Sequence, residues 1–390
     1  MWFFNKVPYH LPKSRGPFVP SCVDVALGYE KSGVFFRLYY PTNIKDNDEI
    51  NHKKWIPFFP DDNYIIGEAK VVMLSPKIIN FFYWKGGSMK IPMLYGESPK
   101  TDKKLKIIIF SHGLGAYRSL YSTILGDLAS RGYIVASLEH RDESSCYTYY
   151  YNSKEDAEND RRTAISYKLI KLGQGHLESR TKQVQYRAEE CSKVLDFLIN
   201  LNNGLVPYNV MSDTRNNHQI DFKLEDLVGK LDVESITMCG HSFGGATALL
   251  TMSKRSELKQ GIILDPWMFP IKNEEIYNNF NQKLLFINTQ TFHIKSNVDS
   301  MEKYLGENAK MYTILRTTHE NHGDTLFWSG YWLNWFMKKI NPITALYINN
   351  SLMLRFLKET TRNDCDIKDC EELLNRESNK YVEGLTKAWA

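Results

Sequence analysis

No stretch of this chain reaches the roughly 18 uncharged apolar residues that a membrane-spanning helix needs. Glu68, Lys70 and Lys77 interrupt the best candidate. The opening, MWFFNKVPYHLPKSRG, has no apolar run of the signal-peptide kind, and Trp2 stands where myristoylation needs a glycine. Cysteine is sparse too: six in 390 residues, at 22, 146, 191, 239, 365 and 370, without framework spacing. Cys365 and Cys370 lack nearby His or Cys partners, so no metal pair is expected there. The thiols are therefore expected to be reduced and the protein cytoplasmic, possible membrane association included, with secretion as the alternative. Asn349-Asn350-Ser351 is a lone sequon and carries little weight. Neither sign of charge dominates, with 49 basic and 45 acidic residues and a net charge of +4. No dense Lys/Arg stripe is present, which argues against a nucleic-acid partner. Repeats and low-complexity tracts are absent as well.

What is there suits a large α/β core: 43% of the residues are hydrophobic and 13% aromatic. Residues 24–40 read as two strands joined at Glu30-Lys31-Ser32-Gly33. The mostly apolar Lys106–Phe110 suits a strand buried on both faces of a parallel sheet. Further strands are expected at Tyr133–Leu138, Ser235–Cys239, Gly261–Leu264, Lys283–Asn288 and Lys310–Leu315, alternating with helical segments. Between Tyr133–Leu138 and Ser235–Cys239 lies a long insertion. In it Val184, Ala188, Cys191, Leu195 and Leu198 share one helical face. Residues 202–226 read as an irregular surface loop, and 141–175 carry no clear pattern.

The stretch MCGHSFGGA, 238–246, sets Ser242 between Gly240 and Gly244 at G-x-S-x-G spacing. A β-prone run precedes it and helix formers follow, the context of a serine held on a sharp strand-to-helix turn. Chain approaching at 240 and 244 leaves no room for a Cβ. The new helix's first amides favour negative charge at the site. A chance match to so short a pattern is the competing reading.

A serine nucleophile needs a histidine base, and the base needs a carboxylate to hold its tautomer. In this fold class the chain order is Ser, acid, His, each just past a strand end. Of ten histidines only His293, His319 and His322 follow Ser242. His319 lies nearest the end of the last strand and is preferred to His322. His241 is expected to point away from the Ser242 side as a packing residue. Asp265 caps the strand Gly261–Leu264 and is preferred as the acid to the later Asp299, although an aspartate before Pro266 could simply form a turn. The oxyanion amides fall to Phe243 and, between the two glycines of Ser111–Ala116, to Leu114.

These residues carry a resemblance. FSHGLGAYRSLYSTILGDLASRGYIVASLEHRD at 110–142, GHSFGGAT at 240–247 and LDPWMFP at 264–270 are similar to the platelet-activating factor acetylhydrolases, which are serine-dependent, calcium-independent phospholipases of α/β-hydrolase fold. The likeness runs from VPSCVDVALG near the start to LMLRFLK near the end. It implies Ser242 as nucleophile, Asp265 as acid, His319 as base, and Leu114 and Phe243 as oxyanion donors, with no metal or other cofactor. The implied substrate is a glycerophospholipid carrying an sn-2 acetyl or a short or oxidised acyl ester. Two departures stand out: Pro266 where the family usually has alanine, and an N-terminus matching neither the secreted nor the myristoylated form.

The expected architecture is thus a mostly parallel central sheet flanked by helices. It forms one α/β-hydrolase domain over 1–390, with N-terminal strands and an insertion at about 141–230. Peripheral contact with membranes or lipid particles is expected of the short apolar segments 71–84, including Phe81, Phe82 and Trp84, and 352–357, with core packing as the alternative. Oligomeric state is not readable. A general carboxylesterase or thioesterase, or a silent lipid-binding protein, are the other readings.

Overall fold

The computed structural model describes residues 9–46, 51–75, 77–79, 81, 89–214, 220–329 and 339–386. Ten strands form one sheet, and in chain order they are β1 Pro20–Leu27, β2 Val34–Pro41, β3 Leu94–Tyr95, β4 Leu105–Ser111, β5 Tyr133–Leu138, β6 Leu231–His241, β7 Leu258–Leu264, β8 Lys283–Thr289, β9 Ala309–Ile314 and β10 Tyr381–Glu383. Across the sheet they lie in the order β10-β9-β8-β7-β6-β4-β5-β2-β1-β3. The six central strands, β9 to β5, pair in parallel. Antiparallel β2 and β10 flank them. Every strand expected from the sequence is present, within a few residues at its ends.

The strand sequences explain the burial. Along β4, Ile108 and Phe110 face one apolar cluster while Leu105, Ile107 and Ile109 face the other, the period-two alternation of a sheet covered on both sides. Helix α3, His176–Asn202, covers one face with the expected stripe of Val184, Ala188, Cys191, Leu195 and Leu198, each at most 1% exposed. The opposite face receives α2, Ser122–Ala129, and α5, Pro342–Thr361. The unpatterned stretch 141–175 contains a hairpin, Tyr147–Tyr150 with Thr163–Ser166.

Of the two readings open for 352–357, core packing holds. The apolar 352–357 segment is core, because Leu352, Met353, Leu354, Phe356 and Leu357 are all buried in α5. Its single charge, Arg355, turns aside to a two-point ion pair with Glu371, 2.9 Å at Nε. A helix packed on a sheet needs such an apolar face, so apolar content alone could not mark it as lipid-facing.

Strand order reverses between β4 and β6, and α/β sheets open a crevice beyond the strand ends at such a point. Register places the pieces. Gly240 of β6 pairs with Ser111 of β4, and His241 pairs with Leu264 of β7. The loop after β4, the turn after β6 and Asp265 after β7 therefore emerge side by side.

Candidate active site

The turn after β6 is strained where the G-x-S-x-G pattern requires it. Ser242 sits at φ 56°, ψ −118°, a positive-φ conformation rare outside glycine, and opens α4, Phe243–Lys254. The flanking glycines are sterically obligatory. A Cβ at 240 would lie 2.1 Å from the Gly244 carbonyl oxygen, and one at 244 would lie 2.0 Å from that of Ser111. The elbow is pinned by Ser242 N donating to Leu264 O at 2.9 Å and Trp267 N donating to Ser242 O at 2.9 Å. Pro266 fits between these bonds, since Asp265 N donates to Ile287 O and Trp267 N to Ser242 O, and the missing N–H of proline is not called upon.

Asp265 is 2% exposed and also holds a positive φ, 41°. Its Oδ1 accepts from Thr289 N at 2.7 Å, and its Oδ2 accepts from the Thr289 hydroxyl and from His319 Nδ1 at 3.1 Å. Burial pushes the carboxyl up, but the hydrogen bond from His319, the nearby His322 and His319 rings and Thr289 outweigh it and hold the carboxyl below its ordinary range. Thr289 ends β8, a strand whose tip has no acid of its own; it serves the acid of the neighbouring strand instead. Asp299, the alternative acid, lies on an exposed helix and pairs with Lys295 at 2.9 Å.

His319 begins a short 3-10 turn after β9, and its ring stacks on Phe292 with centroids 3.8 Å apart. His322 is also close, its Nε2 3.6 Å from Asp265 Oδ2. It is fully buried, which brings its pKa down to about 4 and keeps it neutral. Of the two, His319 makes the hydrogen bond to the acid and keeps a partly exposed ring. Among the described residues no hydrogen bond joins the Ser242 hydroxyl to His319; such bonds commonly tighten only with substrate present.

His241 is the buried packing residue expected, but it does not point away from the site. Its ring lies 4.4 Å from that of His319, and its Nδ1 lies 2.8 Å from Tyr121 Oη. Strand alternation assumes extended backbone, and the positive φ at Ser242 breaks it, bringing residue 241 to the base. Burial, then the neighbouring His319 and His322, hold the His241 ring far below its ordinary pKa and neutral. His241, Asp265 and His319 are the one group among the described residues whose ligand atoms come within 4.8 Å of one another. Asp265 and His319 are joined by the 3.1 Å hydrogen bond, and His241 packs against the His319 ring.

The loop after β4 lies against the elbow: a Cβ at Gly113 would be 3.4 Å from Ser242 Cβ. Leu114 is partly exposed there, and Phe243 is buried at the first position of α4, where an amide has no acceptor within its own helix. A second Ser-His-Glu arrangement sits nearby, with Ser111 Oγ 2.8 Å from His140 Nε2 and His140 Nδ1 2.7 Å from Glu190 Oε2. Ser111 and His140 are 0% exposed and Glu190 2%, so no substrate reaches it. Sequence reading missed Tyr121, His112 and Arg187, which brace this loop; their signal was a place within or near SHGLGA for the first two and an arginine among the buried residues of α3 for the third.

The profile of a family described as platelet-activating factor acetylhydrolase, isoform II, matches residues 4–380. The platelet-activating factor acetylhydrolase of Cavia porcellus is 34% identical over 384 residues, 96% of this chain and 84% of the relative. That of Gallus gallus is 34% identical over 364 residues, covering 90% and 83%. Among solved structures, the ferulic acid esterase from Streptomyces cinnamoneus superposes with a TM-score of 0.59 at 16% identity, covering 91% of this chain and 93% of that one, a likeness of fold.

Proposed function

The chain belongs to the platelet-activating factor acetylhydrolase isoform II family and hydrolyses acetyl esters of phospholipids, and we propose that it does so with Ser242, His319 and Asp265. Ser242 Oγ attacks the acyl carbonyl while His319 takes its proton; Asp265 holds the imidazole by Nδ1 and stabilises the imidazolium. The amides of Leu114 and Phe243 bind the oxyanion. His319 then protonates the lysolipid oxygen, and water activated by the same ring releases acetate from the acyl-enzyme. The observation that carries this reading is the strained Ser242 elbow beside a buried carboxylate hydrogen-bonded to His319. The scissile ester is at the sn-2 position, and short or oxidised acyl chains are taken as well as acetyl.

Substrate is reached from a lipid surface. Helix α1, Asp62–Val71, ends against the loop after β4, where a Cβ at Gly115 would meet Val71 at 2.6 Å. From it an apolar patch faces outward: Ile66 is 51% exposed, Met73 79% and Phe81 53%, with Val72 and Ile78 between. Phe82 and Trp84 lie outside the described residues. No helix among the described residues is long and apolar enough to cross a membrane; short exposed apolar segments of this kind suit docking in the head-group region. Comparing rates on an acetylated phospholipid and a soluble aryl ester tests the substrate class. A strong preference for the phospholipid supports the reading, and a preference for the aryl ester overturns it.

A further inference from the structure

The oxyanion role given to Leu114 depends on where one N–H points, and the surrounding loop is clamped peptide by peptide. The His112 carbonyl accepts from Arg187 Nη1 at 2.6 Å. Gly113 N donates to Tyr121 Oη at 3.1 Å, and Gly115 N donates to Ser144 O at 2.7 Å. The Gly113 carbonyl accepts from Ala116 N at 3.3 Å and faces His112 Nδ1 at 2.7 Å. A carbonyl can only accept, so Nδ1 carries the proton of this ring. Its Nε2 is then the acceptor for His140 N at 3.3 Å. Burial and the Arg187 cation keep the ring neutral, so the tautomer is set by these partners.

The consequence follows from peptide planarity. No cis peptide is present among the described residues, and in a trans peptide the carbonyl and the next N–H point in opposite directions. Holding the Gly113 carbonyl against the His112 ring therefore turns the Leu114 N–H the other way. Among the described residues, that amide has no acceptor in the protein, while those of Gly113 and Gly115 are both used. We infer that His112 is a positioning residue: its Nδ1–H, braced by Arg187 on the preceding peptide, aims the Leu114 amide at the developing oxyanion. Arg187 is 0% exposed, paired with Asp142 at 3.1 Å and seated 4.4 Å over the Phe243 ring. One buried cation thus touches the elements bearing both oxyanion amides. This inference rests on the reading of Leu114 as an oxyanion donor.

Asn and Leu have nearly the same shape, but only Asn places a donor where Nδ1 sits. H112L should lose on the order of 10²-fold in kcat, the scale of one lost oxyanion donor, with KM changed less than about threefold. H112N should recover to within about tenfold of wild type. Matched thermal melts exclude misfolding. If H112L does not fold, H112Q replaces it, since its amide reaches the Nε2 position and leaves the Gly113 carbonyl with only the long Ala116 N–H bond at 3.3 Å and no side-chain donor. Equal kcat in H112N and the donor-less variant overturns the inference, as does a loss confined to KM. L114P, which deletes the amide itself, tests the underlying reading separately. Full kcat in L114P defeats the Leu114 assignment, whereas a loss in L114P with full kcat in H112L defeats only the role of His112.

Discussion

Replacing Asp265 by asparagine tests the acid through its hydrogen bonds. Thr289 N donates to Oδ1 at 2.7 Å, so an asparagine must keep its oxygen there. Its NH2 then occupies the Oδ2 position, facing the Thr289 hydroxyl, which can turn and accept, and His319 Nδ1 at 3.1 Å. An N–H at that point forces Nδ1 to accept, which moves the ring proton to Nε2. An imidazole protonated at Nε2 cannot take a proton from Ser242. The expected cost is on the order of 10⁴ in kcat, the size of a tautomer reversal in a serine hydrolase, or about 5.4 kcal/mol of barrier at 1.36 kcal/mol per decade. Neutralising a buried carboxylate leaves the fold in place, so the melting temperature should move little. D299N, at an exposed residue paired only with Lys295, should change kcat less than about twofold. Hydrolysis of an acetylated phospholipid by both variants at pH 7.5 is the assay. D265N within tenfold of wild type, or a large loss in D299N, would refute the reasoning.

Three further outcomes are expected. S242A should lose on the order of 10⁶ in kcat while folding normally; one tenth of wild-type activity in a cleanly folded sample rejects the nucleophile. Converting Met73, Ile78 and Phe81 together to serine should weaken vesicle sedimentation while sparing aryl-ester hydrolysis, and unchanged sedimentation removes the lipid-docking role. Glu68 is buried in α1, which raises its carboxyl to about 8 against an ordinary 4.5. The folded state therefore holds its proton longer than the unfolded chain, and the cost of burying the group grows as pH rises between those values. E68Q has no proton to lose and should match wild type near pH 5 but be the more stable at pH 8, by at most about 1.4 kcal/mol per pH unit crossed. The same stability difference at both pH values contradicts this.

The parts legible in the sequence were those with a local cause. Apolar runs such as Lys106–Phe110 make buried parallel strands, and the Gly240 and Gly244 contacts need glycine whatever the rest of the chain does. The sequence could single out Asp265 and His319 as candidates because each follows a strand end, and the fold brings the two within a hydrogen bond of each other. His241 was misjudged because strand alternation stops at the strained Ser242. The 352–357 helix was open to two readings because buried and lipid-facing segments share a composition. The brace around His112 was not legible. Arg187 lies 75 residues from the loop it holds and Tyr121 eight, and only the packed α3 and the turn before α2 bring them there.

The central claim is that Ser242 is the activated serine, and covalent labelling tests it most directly. Treated with a fluorophosphonate and digested, the protein should carry one stoichiometric adduct, on the peptide containing Ser242, and lose hydrolytic activity in step with labelling. No adduct, or an adduct on another serine such as the buried Ser111 of the Ser111–His140–Glu190 arrangement, would contradict the account.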